Sequence, residues 1–225
     1  MVGNRTKFCA AIIAGLVLLA APSGGAVEAS AAAETYQSNA NLWVIGPIIR
    51  GRNYSHGMPL HPTPRRGGGF QFDFPQAPGS VHAVTFAHGS LAGKRRIVMR
   101  YRIETEPGAD IRARSDPAYP GMITLYFQRR GDTWTTRGPY ETYRWFATFA
   151  THTPVRAGTF EMIAPLNGNW TATQVSSAQT APAAFRDAVA NAEQVGFVLG
   201  GGNGYGHGAF ARGRARMIVT EFRVE

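Results

Sequence analysis

Cysteine is almost missing from this chain: its 225 residues include one, Cys9, inside the apolar run Phe8 to Ala21. Export with removal of that run would leave no thiol, which excludes disulfide scaffolds, thiolate metal sites, iron–sulfur clusters and cysteine nucleophiles. Lysine is scarce as well. Of 23 basic residues, Arg5 and Lys7 precede the run, and the other 21 are 20 arginines and Lys94. Acidic residues number 14, which leaves a formal charge of +9. No apolar run reaches the roughly 20 residues of a membrane span. No His-x-x-x-His pair, Gly-x-Ser-x-Gly elbow or Gly-Lys-Ser/Thr phosphate loop occurs, so zinc-helix, serine-hydrolase and P-loop chemistry lack their usual supports.

What is present begins with a leader. A basic start, the 14-residue run from Phe8 to Ala21 and two Ala-x-Ala sites ending at Ala31 and Ala33 read as a secretory signal peptide over residues 1–33. The expectation is a secreted or periplasmic protein of about 192 residues near +8, with cleavage open between Ala31 and Ala33. That length suits one domain with a full core.

Glycine and proline, 27 and 14 in number, cut the chain into short pieces. Most of these pieces alternate apolar and polar residues, which predicts an all-β fold of about nine strands. Ile97, Met99, Tyr101 and Ile103 alternate with Val98, Arg100, Arg102 and Glu104. The other predicted strands lie at 42–50, 70–74, 81–86, 123–128, 140–151, 159–164, 195–199 and 216–224. Pro182 to Gln194 carries Phe185, Ala188, Val189 and Ala192 at helical spacing and predicts one short helix. Residues 34–69 read as an N-terminal strand and long loop, with a loose terminus at 35–41 and a Pro/Gly-rich loop at 51–69. Residues 70–225, together with 42–69, read as one β-sandwich domain.

The cluster Gly200 to Gly208 lacks the helix that a dinucleotide site needs after its glycines, and reads as a mobile β-connection. Glu104, Asp132, Glu141, Glu161 and Glu221 can supply a glycosidase pair, or be solvated partners of the many arginines. Asn53-Tyr54-Ser55-His56 has the variety of a ligand rim, or of turn-stabilising side chains. Trp43 and Trp170 sit in apolar context and read as core.

Polar faces of the strands carry the main functional signal. Arg100, Arg102, Tyr126, Gln128 and Arg144 are expected on one outer sheet face, with Trp134 and Tyr140 at its edge. Aromatic rings stack on sugar rings, and guanidinium groups bind carboxylate or sulfate bidentately. The same composition also fits a wet sheet face with Arg stems over aromatics.

The order of features resembles the galactose-binding-like jelly-roll superfamily, especially the complex I intermediate-associated type and related carbohydrate-binding modules. The marks are Ile97 to Glu104, Ile123 to Asp132 (ITLYFQRRGD), Tyr143 to Thr148, Gly158 to Trp170 (GTFEMIAPLNGNW) and Val195 to Leu199. The closing Ile218-Val219-Thr220-Glu221-Phe222 departs from the family's Ile-Asp-Asp-Ile-type strand. The resemblance implies a jelly-roll sandwich, and a sugar-binding, protein-binding or domain-joining role.

The expected function is an exported, non-catalytic carbohydrate-binding protein for an acidic or sulfated glycan, with no catalytic residue, metal or cofactor assigned and structural calcium left open. Alternatives are a lyase or hydrolase on uronate polymers, and a cell-envelope module attracted to anionic polymers or proteins. Nucleic acid is not an expected partner, no transmembrane segment is expected, and oligomeric state is open.

Overall fold

A computed structural model describes residues 39–173, 176–201 and 205–225, together with the backbone of Thr35 and Tyr36. The expected leader, residues 1–33, lies outside the described residues, as do Gly202 to Gly204 of the glycine cluster. Eleven principal strands carry the architecture: β1 (Trp43–Gly46), β2 (Phe70–Asp73), β3 (Ala83–Ala87), β4 (Arg96–Thr105), β5 (Asp110–Ala113), β6 (Met122–Arg129), β7 (Arg144–Phe146), β8 (Gly158–Pro165), β9 (Ala192–Gly200), β10 (Ala209–Arg212) and β11 (Ala215–Val224). Two helices, α1 (Thr148–Thr151) and α2 (Pro182–Ala190), interrupt them.

The strands form an all-β sandwich. One antiparallel sheet runs β8-β4-β11-β2, extended by Thr63–Pro64, and the other runs β7-β6-β9-β3-β1, extended past β7 by Thr171–Ala172. A ribbon of β5 and β10 stands apart from both. From β1 to β4 the chain changes sheet at every strand, so none of these four strands pairs with the next in sequence.

Period-2 alternation decides which side chains enter the core. Ile97, Met99, Tyr101 and Ile103 of β4 face Ile123, Leu125 and Phe127 of β6 and Val195, Phe197 and Leu199 of β9, and all are buried. Trp43 ties the layers together. Its ring lies 4.7 Å from Phe86 in its own sheet, and 4.7 and 5.0 Å from Phe70 and Phe222 in the other. Trp170 is likewise core, edge-on to Phe127 at 5.2 Å.

In β11 the alternation changes phase. Met217 and Val219 point inward, then Phe222 and Val224, because a bulge between Val219 and Glu221 inserts Thr220. Gly69 lies against this bulge with φ +77, and a Cβ there would sit 2.1 Å from the Val219 carbonyl oxygen.

Each of the nine expected strands has a counterpart, and the differences are local. Residues 140–151 are not one strand: a 3-10 turn (Gly138–Thr142), β7 and helix α1 share that stretch. Thr151 Oγ1 donates to the Ala147 carbonyl at 2.9 Å and caps the turn that ends extension. A second helix therefore joins the one expected, and α2 stops at Ala190, where Ala192 enters β9. Thr35–Tyr36, expected in a loose terminus, pairs with β11. The expected long loop contains Arg52–Asn53, paired with Ile48–Ile49, and Thr63–Pro64, paired with β2. Among the described residues no helix is long and apolar enough to cross a membrane.

Candidate functional site

The outer face of the β6/β9 sheet carries a second apolar cluster, separate from the core, of Ala83, Tyr126, Phe146 and Val198, with Trp134 and Tyr205 packed on it. Three rings stack across it. Tyr126 and Phe146 lie 5.8 Å apart at 18°, and Phe146 and Tyr205 5.1 Å apart at 26°. His152 meets Tyr205 edge-on at 5.3 Å, while its Nδ1 lies 2.7 Å from Thr124 Oγ1.

Above this floor is a groove of about 440 Å³, lined by Tyr54, His82, Arg114, Trp134, Arg144, Phe146, Tyr205 and His207 among others. No carboxylate is among its described lining residues. Local folding brings these side chains together from four directions. The β5/β10 ribbon pairs Ala113 with Ala209, so Arg114 leaves the ribbon beside Gly208, to whose carbonyl its backbone N–H donates at 2.9 Å. Tyr205 and His207 enter from the other arm of that ribbon.

His82 anchors the groove's far wall. The Gly206 carbonyl can only accept, so Nδ1 carries the proton and donates to it at 2.9 Å, while Nε2 accepts from the Ser80 hydroxyl at 2.9 Å. Burial pulls the His82 pKa down to about 4. With both nitrogens committed, this imidazole is a structural pin and has no free lone pair to serve as a base. Gly208, at φ +94, makes room for it, since a Cβ there would lie 2.6 Å from His82 Nε2. Ser55 Oγ accepts from the His82 backbone N–H and donates to the Gly46 carbonyl, and Asn53 Nδ2 donates to the Ile45 carbonyl at 2.7 Å. Asn53 and Ser55 therefore stabilise the turn, and Tyr54 between them is the residue that lines the groove.

Arg144 is fixed on three sides. Its Nε lies 2.8 Å from Asp132 Oδ2, its Nη2 donates to the Thr135 carbonyl at 2.6 Å, and its guanidinium sits 4.8 Å from the centre of the Trp134 ring. The remaining nitrogen, Nη1, has no hydrogen-bond partner among the described residues. Burial raises the Asp132 carboxyl above its ordinary range, against the opposing pull of Arg144 and of the Trp134 and Thr133 N–H groups. Trp134 adopts φ +64, held by its N–H donating to Asp132 Oδ1 at 2.9 Å. Arg114, by contrast, is exposed and has no acidic partner among the described residues.

The seven residues expected at the site do not share one face. Arg144 and Trp134 line the groove. Tyr126 is part of its floor and Gln128 follows it on the same strand, both fully or nearly buried, with the Tyr126 hydroxyl donating to Gln128 Oε1 at 3.3 Å. Burial raises the Tyr126 hydroxyl pKa. Tyr140 packs edge-on against Tyr143 at 5.0 Å in the 3-10 turn, outside the groove lining. Arg100 and Arg102 are on β4, on the outer face of the opposite sheet, so the expectation of one shared face is corrected by the pairing of β4 with β8 and β11.

There Arg100 bridges Glu161 and Glu221, and Arg102 pairs with Glu104. Four of the five carboxylates considered for a glycosidase pair are thus each bound to an arginine, since Asp132 holds Arg144. A cavity of about 460 Å³ at the edge of that sheet is lined by Asp73, Glu104, Glu106, Arg214 and Arg216, but its arginines already pair with Glu106 and Asp73. Among the described residues no three His, Cys, Asp or Glu side chains cluster as metal ligands.

Arg114, Tyr205 and His207 were not expected at a site. The last two belong to the glycine cluster, whose Tyr-Gly-His end was the available signal; Arg114, a lone arginine in a polar stretch, gave none. No protein-family model matches this chain, and no curated protein matches it.

Proposed function

We propose that this is an exported carbohydrate-binding module, of the galactose-binding-like jelly-roll kind, whose groove over the β6/β9 sheet takes an acidic sugar. The observation that carries the reading is the convergence of Arg114, the open edge of Arg144 and the rings of Tyr54, Trp134 and Tyr205 on a groove with no carboxylate in its described lining. Rings offer stacking surface to a pyranose, and guanidinium donors complement a carboxylate or sulfate. The volume lies in the range of small-ligand sites.

Retention on immobilised polyuronate, compared with a neutral glucan, tests this reading. Expected is retention on the polyuronate that persists in a few hundred millimolar salt and is lost in Arg114→Ala. Absence of retention on both supports would overturn it. Retention abolished by salt alone would point to attraction between the basic chain and anionic envelope polymers.

A further inference from the structure

The groove does not end at Trp134. On its other side lies a compartment of about 270 Å³ that shares Trp134 and Pro47 with the groove and is otherwise walled chiefly by Leu42, Val44, Ile48, Ala83 and Phe86. Among the described residues no charged side chain lines it. Its two polar side chains pair with each other, Thr85 Oγ1 donating to Gln194 Oε1 at 3.2 Å. Leu42 and Ile48 are 52% and 46% exposed. With Tyr54 of the groove, they are three of the seven large apolar side chains that stand exposed among the described residues, so solvent-facing apolar surface concentrates at this site. Such a concentration beside a cationic pocket fits a ligand with two different ends.

We propose that the ligand is an amphipathic acidic saccharide, whose anionic sugar sits against Arg114 and Arg144 and whose alkyl or acyl group crosses Trp134 into the Leu42/Ile48 compartment. This rests on the acidic-sugar reading above and adds to it an apolar substituent. The arrangement separates the two demands in space. The cationic end selects charge, and the compartment, walled mostly by apolar side chains, selects hydrocarbon.

Calorimetric titration with methyl β-glucuronide, octyl β-glucuronide and octyl β-glucoside, below micelle-forming concentrations, tests the proposal. Burial of even two methylenes gives roughly tenfold, at about 0.8 kcal/mol each, so octyl glucuronide is expected to bind at least about tenfold tighter than methyl glucuronide. Leu42→Ser with Ile48→Ser should remove that gain and leave methyl glucuronide unchanged. Arg114→Ala should weaken both glucuronides and spare octyl glucoside. Phe149→Ser, which removes an exposed ring outside the groove, should keep the gain and so exclude general adsorption of the alkyl chain. Equal affinity for the two glucuronides would overturn the apolar compartment and leave the acidic-sugar reading standing. Equal binding of octyl glucoside and octyl glucuronide, with methyl glucuronide unbound, would overturn the acidic-sugar reading and this proposal with it.

Discussion

Arg144 and Asp132 form a charge pair that water barely reaches: Nε lies 2.8 Å from Oδ2, and the two side chains are 8% and 0% exposed. Neither atom of that contact has a well-directed hydrogen bond, so the pair rests on Coulomb attraction, the Thr135 carbonyl and Trp134 ring at Arg144, and the Trp134 N–H donated to Asp132 Oδ1. Removing one partner of a buried pair leaves the other charge without compensation, whereas replacing both by apolar groups does not.

Asp132→Ala should therefore lower unfolding stability by about 3–5 kcal/mol, measured by urea denaturation. The double replacement Asp132→Leu with Arg144→Met should recover most of the loss while abolishing ligand binding. A double variant as unstable as the single one would contradict this account.

Stability should fall as pH drops through the window set by His82. Its folded pKa of about 4 lies below the unfolded value of 6.5, so the unfolded chain binds more protons between those limits. At about 1.4 kcal/mol per pK unit, the loss from pH 7 to 4.5 is about 2–3 kcal/mol. His88 and His152, lowered first by burial, act in the same direction. Asp132, with its pKa raised, acts in the opposite one. Denaturation midpoints at the two pH values should converge in His82→Gln; an unchanged pH slope in that variant would assign the effect elsewhere.

Gly208→Ala should cost about 1–3 kcal/mol, because a non-glycine residue at positive φ is strained and its methyl meets the His82 ring. The clash depends on the imidazole and the strain does not. In a double-mutant cycle Gly208→Ala should therefore cost less on a His82→Ala background than on the native one. Strict additivity of the two free energies would show that the ring and the glycine do not interact.

Trp134→Asn separates backbone from ring. Asparagine tolerates the left-handed conformation that Trp134 adopts, so no backbone strain is added, and stability should fall only by the lost packing of the ring on Arg144 and the apolar cluster. Loss of the stacking surface should weaken sugar binding by about 1–2 kcal/mol, the scale of a cation–π and stacking contact. Titration of a glucuronide with both proteins gives the number, and equal affinities would remove Trp134 from the site.

Side-chain parity was the legible part of the fold. In β4 the alternation places Ile97, Met99, Tyr101 and Ile103 in the core and Arg100, Arg102 and Glu104 in solvent, while Val98, on the outward phase, is buried as well. Parity says nothing about which sheet a strand joins, however. Arg100 and Tyr126 both point outward, yet in opposite directions, because β4 pairs with β8 and β11 while β6 pairs with β7 and β9. That choice depends on contacts between distant segments. The bulge at Thr220 hides from a strict period for a related reason, since one inserted residue shifts the apolar positions from 217 and 219 to 222 and 224. Residues 140–151 read as a strand from composition, but the chain turns at Ala147 to seat Thr151 against β6, where its hydroxyl accepts from the Leu125 N–H at 3.0 Å. Of the groove, Arg144 and Trp134 were legible from residue type. Arg114 was not, because its role comes from a ribbon whose arms are about a hundred residues apart in sequence.

The bridge from Arg100 to Glu161 and Glu221 gives the molecule a back as well as a front. With Arg223 on the other oxygen of Glu221, two positive and two negative charges offset one another there, and the core stands between them and the groove. A fluorophore, a surface tether or a fused protein attached at that ladder would leave the groove facing the solution, so the back is a natural handle for orienting the protein on a solid support.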